Sequence, residues 1–387
     1  MVLEEKVKKM LKLQEFIQAN KNDWEEMIAK EPYFIKVSHE SFAGHRLIGF
    51  KYNQIDSDFN QELVRECRGI ILDEDSLEPI SVPFFKFGNY GESYCPTIDW
   101  DSAKVTEKID GSLVKIVRMG DELLISTNGC IDASKASITQ TFACKYDSYR
   151  DLILAAEPIK DLSNDELLSL FKEGYTYMFE LTSPYNKVVI PYEGIRLSFI
   201  GVRDNKSLQE SLIYDHPLSK VFNTPKQYSF KSLDDCIANA KLLPYNEEGY
   251  VVVDKYFNRV KVKSAAYVAI HHLRGEGVLT PRKALEIVRQ NEVVEFLSYF
   301  EEYRANFEKL GQSYEALIDA VQKDWDEHYE SIVNLDSRRD KAMFILQHCA
   351  YPHFAFAMLD GKKANSREWV AEINPDTILE MMEKIKG

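Results

Sequence analysis

Between Tyr33 and about Val268 the apolar residues fall in short alternating runs, and beyond Gly275-Glu-Gly277 they fall at helical spacing. That switch of period limits the available folds more than any single motif does. Runs such as Arg68 to Leu72, Ser198 to Val202, Gly249 to Val253 and Val260 to Lys263, separated by turn residues, read as strands. Helical stretches are expected over residues 3 to 30, near Ile138 to Ala156, and from Asn164 to Phe171. After the switch, Thr280-Pro281 reads as an N-cap followed by proline at the first helical position. Leu285, Val288 and Phe296, then Phe300, Tyr303 and Phe307, then Tyr314, Leu317, Ile318 and Val321, form candidate buried stripes. The reading is an α+β domain over residues 1–274 followed by an all-α domain over 275–387.

At 387 residues, 45% hydrophobic, the chain can fill two cores. No apolar run approaches the roughly 20 residues of a membrane span. The charged start (Glu4, Glu5, Lys6, Lys8, Lys9) leads into no signal-like apolar segment, so a cytoplasmic location is expected, a host's if the chain is viral. The six cysteines contain no Cys-x-x-Cys pair and the histidines no His-Glu-x-x-His. His271-His272 is read as structural, and neither a zinc site nor a disulfide framework is expected. The net charge of −14, from 48 basic and 62 acidic residues, repels a polyanion at long range. A nucleic acid could therefore be held only by a local basic groove.

Polar groups interrupt the strand-rich region at informative places. In Lys108-Ile-Asp-Gly-Ser112, the Asp-Gly pair lies between the alternating runs Val105 to Ile109 and Leu113 to Val117. It reads as a β-hairpin turn, with Lys108 either an exposed strand lysine or a nucleophile beside it. Lys261 and Lys263 are two apart, so on a strand both ammonium groups share a face and favour an anion between them. Glu248-Gly249 sets a carboxylate at a strand entrance, with a glycine that admits close approach of a ligand. Glu180 is an acid within the apolar Phe179 to Thr182 segment, and Arg68, Lys86 and Phe87 lie in similar apolar surroundings. Each charge, taken singly, also reads as solvated surface.

In this order, over about residues 60 to 270, the pieces resemble the covalent nucleotidyltransferase superfamily of polynucleotide ligases and capping enzymes. Lys108-Ile-Asp-Gly is similar to its Lys-x-Asp-Gly motif, Phe179-Glu180 to its third, Leu197 to Arg203 to the following strand, Glu248-Gly249 to its fourth and Lys261-Val-Lys263 to its fifth. Glu66-Cys-Arg-Gly-Ile70, Lys86-Phe87-Gly88-Asn89, Ser183-Pro-Tyr-Asn186 and Tyr267 resemble the phage-type tRNA-repair RNA ligases, the RNA ligase 1 branch. The resemblance implies an ATP-grasp-like nucleotidyltransferase domain of antiparallel sheets, then an all-α C-terminal domain associated with tRNA preference. It also implies an ATP-dependent RNA ligase acting through lysyl-AMP and an adenylylated RNA end.

By the same resemblance Lys108 is the nucleophile, while Lys261, Lys263, Arg68 and Lys86 neutralise phosphates. Glu248 holds Mg2+, with Mn2+ as a substitute, and Glu180 bonds the ribose. Asp110 orients the turn and helps position metal or phosphate. Gly111 and Gly249 approach the nucleotide, and Tyr267 or Phe87 covers it. The implied substrates are RNA ends bearing 5′-phosphate and 3′-hydroxyl, broken tRNA included, with an end-healing kinase or phosphatase as partner and no membrane. The alternatives are a capping-type guanylyltransferase, which would need an OB-fold domain that the sequence lacks, and a non-catalytic RNA-binding relative. Two departures stand out: Gly88 replaces an aromatic residue, and Asn128 of Ser126-Thr127-Asn128-Gly129 replaces a basic one. In the helical part, Arg338-Arg339-Asp-Lys341, Lys362-Lys363 and Arg367 are expected to dock RNA.

Overall fold

The computed structural model describes residues 9–138, 144–186, 189–272 and 279–386. The chain divides into two compact units, Met1–Arg274 and Gly275–Gly387. In the first unit the strands are β1 (Ile35–Phe42), β2 (His45–Tyr52), β3 (Arg68–Asp73), β4 (Pro79–Ser81), β5 (Lys104–Glu107), β6 (Ser112–Met119), β7 (Glu122–Thr127), β8 (Tyr175–Thr182), β9 (Arg196–Asp204), β10 (Glu210–Ser211), β11 (Gln227–Tyr228), β12 (Gly249–Val253) and β13 (Arg259–Lys263). They form three sheets, in the orders β1-β2-β3-β4, β10-β9-β8-β6-β7 and β11-β5-β12-β13. The strand pairs are antiparallel, in keeping with the α+β reading.

Strand β6 lies inside the second sheet and is covered on both faces, so it reads as a continuous apolar run. Val114 and Ile116 join the core of Phe179, Leu197 and Phe199, whereas Val117 packs with Leu124, Leu47 and Ile71 and ties the first sheet to the second. Burying a side chain of this size stabilises by roughly 1.5–3 kcal/mol. The third sheet has its own core, in which Val105, Tyr250, Val252, Val260 and Val262 meet Cys236 and Ala240 of the helix Leu233–Ala240.

Three expectations are corrected. The segment expected as one helix over residues 3 to 30 holds two, Lys12–Ala19 and Trp24–Ile28, and residues 1–8 lie outside the described part. Asn20 ends the first helix by donating its amide to the Phe16 carbonyl at 2.8 Å, which satisfies an otherwise orphaned helix acceptor. At the other end, the Glu66 carboxylate accepts the backbone N–H groups of Lys12 and Leu13. Between Ile138 and Ala156 only Tyr149–Leu154 is α-helical, started by the Ser148–Asp151 capping box, and residues 139–143 lie outside the description. Most consequential, Asp110-Gly111 is no hairpin turn. β5 is flanked on both sides by β11 and β12, and β6 by β7 and β8, so neither has a free edge for the other. Residues 108–111 instead cross from the third sheet to the second.

The second unit is helical. Thr280 caps the helix Pro281–Arg289 by accepting the Lys283 N–H. The 30-residue helix Arg304–Val333 supplies Tyr314, Leu317, Ile318, Val321 and Trp325 to a core shared with Leu285, Phe354, Val370 and Ile378. The boundary residues Gly275-Glu-Gly277 lie outside the described part, as do the side chains of His271 and His272. Four cations of the basic clusters are ion-paired: Asp360 pairs with Arg338 at 2.7 Å and Lys362 at 3.2 Å, Lys363 pairs with Glu372 at 2.5 Å, and Arg367 pairs with Glu315.

Candidate active site

The crossover at 108–111 is fixed from several directions. The Lys108 N–H donates to the Gly249 carbonyl at 2.8 Å. Asp110, 4% exposed, accepts the N–H groups of Val189 at 2.9 Å and Ile190 at 2.8 Å, and the Tyr267 hydroxyl at 2.9 Å. Ser112 accepts from the Asn186 amide at 3.0 Å, and Asn186 also donates to the Leu181 carbonyl. A Cβ on Gly111 would stand 2.4 Å from the Leu181 carbonyl oxygen, so only glycine fits between the crossover and β8. Groups held in this way need little reorganisation when a ligand arrives.

The pinned loop opens onto a cavity of about 740 Å³. Of the residues singled out from sequence, Arg68, Phe87, Lys108, Gly111, Glu180, Lys261 and Lys263 line it. The Phe87 ring is flanked by the Arg68 guanidinium, 5.3 Å from the ring centroid, and by the Lys261 ammonium at 5.5 Å. Glu248 lies behind Lys108, only 5% exposed, with Oε1 2.6 Å from the Lys108 Nζ.

Burial raises the Glu248 carboxyl above its ordinary range, opposed by the positive charges of Lys108 and Lys263. Burial also pushes Glu180 up to about 7, against the pull of Lys108 and with the repulsion of Glu248. Two carboxyl groups and several cations are therefore gathered where burial makes electrostatic interactions stronger than in water. The buried Glu248 Oε2 has no hydrogen-bond partner among the described residues. A hard divalent cation with oxygen ligands fits that orphaned acceptor.

Besides Glu248, four residues from the sequence reading lie away from the cavity lining. Tyr267, expected as a nucleotide cover, is 2% exposed and lies outside the cavity lining, with its hydroxyl donating to Asp110. Asp110 in turn receives two backbone donors and one phenol and lies outside the cavity lining, so in this structure it braces the crossover. Lys86 points the other way from Phe87, as neighbours on an extended segment do. Its ammonium lies 4.6 Å from the Phe59 ring centroid and donates to Gln54 at 3.2 Å. Gly249 has φ +138, and a Cβ there would stand 2.2 Å from the Val262 carbonyl oxygen; its freedom serves the β12–β13 approach, not ligand access.

The two sequence departures also acquire a location. A Cβ at Gly88 would meet Cys95, Glu92 and Tyr94, none of which lines the cavity, so the missing aromatic side chain takes nothing from the cavity wall. Asn128 does line it.

Sequence reasoning missed Arg259, which lines the cavity and is clamped by Glu210, with contacts at 2.9 and 2.5 Å. The alternation that paired Lys261 with Lys263 extends to it. It also missed Lys115, fully buried in β6, whose ammonium reaches the Gly69 carbonyl beside Arg68. Burial pushes that lysine down to about 7. Its only sequence signal is a charge inside an apolar run.

A family model described as RNA ligase matches residues 66–267. A protein of Autographa californica nuclear polyhedrosis virus, provisionally named bifunctional polynucleotide kinase/RNA ligase, is 30% identical over 282 residues, covering 68% of this chain and 39% of its own length. An RNA ligase of Rhodothermus phage RM378 is 24% identical over 347 residues, 73% of this chain and 76% of its own. Among solved structures, an archaeal ATP-dependent RNA ligase aligns over 92% of this chain and 84% of its own at 14% identity, with a TM-score of 0.45, a likeness that adds no argument of its own.

Proposed function

Because the chain belongs to the RNA ligase family, by a match over just over half its length, we propose that it is an ATP-dependent enzyme joining a 5′-phosphate to a 3′-hydroxyl in RNA. The observation that carries this reading is the Lys108–Glu248 pair, whose lysine lines the cavity together with Arg68, Lys261 and Lys263. Lys108 is the nucleophile: its amine bonds to the α-phosphorus of ATP as the bond to pyrophosphate breaks. In the ligand-free state Glu248 holds the Lys108 ammonium, so the amine becomes available when that carboxylate's charge is taken up elsewhere and the proton leaves. Lys263 favours that loss, because a positive neighbour disfavours a second ammonium.

Glu248 would hold a magnesium ion, with manganese as a substitute, and the metal supplies charge neutralisation at the transferring phosphate. Arg68, Lys261 and Lys263 meet phosphate oxygens whose charge grows in the transition state. Glu180 accepts ribose hydroxyls, Gly111 lets the nucleotide lie close to the backbone, and Phe87 offers a ring face to it. The adenylyl group then passes to the RNA 5′-phosphate, and a 3′-hydroxyl displaces AMP.

Broken tRNA is a fitting substrate, with the helical unit contributing preference. The kinase in the viral relative's name supports an end-healing activity upstream. We place the reaction in the cytoplasm, a host's if the chain is viral; among the described residues no helix is long and apolar enough to cross a membrane. With ATP and magnesium the protein should join 5′-phosphorylated RNA to a 3′-hydroxyl end, and GTP should not replace ATP. Activity with GTP alone, on a 5′-diphosphate end, would instead make it a guanylyltransferase.

A further inference from the structure

Lys36 faces Lys51 across the β1–β2 ladder, and Lys51 faces Arg68 across β2–β3. Directly paired residues of an antiparallel ladder share a face, so the three cations stand in one row across three strands. Like charges placed opposite one another weaken a sheet unless something negative lies over them. Around this row the first sheet forms a second cavity of about 540 Å³, lined also by Phe34, Tyr52 and Asn128 and, among the described residues, by no carboxylate. In a chain of net charge −14, such a cation-only lining is a local exception.

Arg68 and Asn128 line both this cavity and the 740 Å³ one, so the two share a wall. At that wall the Arg68 Nε and Nη1 and the Asn128 Oδ1 are buried without a hydrogen-bond partner among the described residues. Lys86 adds a fourth positive charge at the rim, 5.3 Å from the Tyr52 ring centroid. Buried guanidinium nitrogens without acceptors are costly, and a phosphate is the acceptor their fork fits best. A cavity of this volume exceeds the need of a lone phosphate, and its rings offer faces on which a base can stack.

We propose that the Lys36–Lys51–Arg68 row is a phosphate subsite for the RNA strand, holding the nucleotide next to the reacting end so that the strand passes over Arg68 into the nucleotide cavity. The inference rests on the RNA ligase reading and names where that substrate lies. A polyphosphate tail of ATP would present the same phosphate chemistry to the same cations, and the test separates the two sources.

The full-length protein and a Lys36→Ala/Lys51→Ala variant would be titrated against a short, fluorescent, 5′-phosphorylated single-stranded RNA at several salt concentrations. In parallel, both would be labelled with α-labelled ATP and magnesium without RNA. RNA affinity should fall about tenfold, and the slope of log affinity against log salt should shrink by roughly 0.7 per lysine. ATP labelling should fall far less, since both lysines lie outside the nucleotide cavity, and Lys36→Arg/Lys51→Arg should restore RNA binding. Unchanged RNA affinity and slope overturn the subsite. So does labelling that falls in step with RNA affinity, which would give the row to the polyphosphate tail. A wild-type protein that binds RNA through the row yet neither labels nor joins ends leaves the subsite standing and defeats the ligase reading.

Discussion

Asp110 shows how one side chain sets the geometry of a site it does not enter. Its carboxylate receives two backbone N–H groups and the Tyr267 phenol, and the residue two before it is the nucleophile of the proposed reaction. Hydrogen bonds to a buried charged group contribute about 1.5–3 kcal/mol each. Tyr267→Phe removes one of them without opening a large void, so stability to urea should drop by about that amount. The rate of ATP labelling should fall while the ATP concentration giving half-maximal rate stays nearly constant, because Tyr267 lies outside the cavity lining. A large rise in that concentration with unchanged stability would return Tyr267 to the role of a nucleotide cover. Sequence alone could not choose between the two, because a tyrosine soon after the last strand fits either.

Strands made the site partly legible and partly not. Alternation along Arg259 to Lys263 puts every second residue on one face, and Arg259, Lys261 and Lys263 all line the cavity. That inference needs only the two-residue period of a strand. The Asp110-Gly111 crossover was not legible: whether two neighbouring runs pair depends on what occupies their edges, and β5 is filled by β11 and β12, from more than 100 residues later. For the same reason the cross-strand row of Lys36, Lys51 and Arg68 is visible only once the register is known. Gly249 was noticed from sequence for its freedom, but the cause is the neighbouring strand. Gly249→Ala should therefore destabilise by at least about 1–3 kcal/mol, the range for enforced backbone strain, with or without nucleotide present. A variant with wild-type unfolding midpoint and weakened ATP binding would show that ligand approach is the reason for the glycine after all.

For the whole molecule, sequence foretold the change from mixed sheets to helices, because a change of hydrophobic period extends over many residues and survives local errors. The basic clusters acquire ion-pair partners on folding. Arg338 and Lys362 converge on Asp360, and Lys363 and Arg367 each meet a glutamate; apart from Lys362 and Asp360, these partners are distant in the linear sequence. Arg338→Ala/Lys362→Ala should therefore change the salt dependence of RNA affinity by less than one unit of log–log slope, the change expected from losing two free phosphate contacts being larger. A slope lowered by 1.4 or so would make the clusters docking points despite their pairing.

In the proposed reaction Lys108, held against Glu248 in the ligand-free protein, becomes covalently bonded to AMP. Incubation with ATP and magnesium, followed by digestion and mass spectrometry under conditions that preserve a phosphoramidate, tests it most directly. One adenylylated peptide is expected, modified at Lys108 and absent from Lys108→Ala. Adenylylation at another lysine, or RNA joining that persists at full rate in Lys108→Ala, would contradict it.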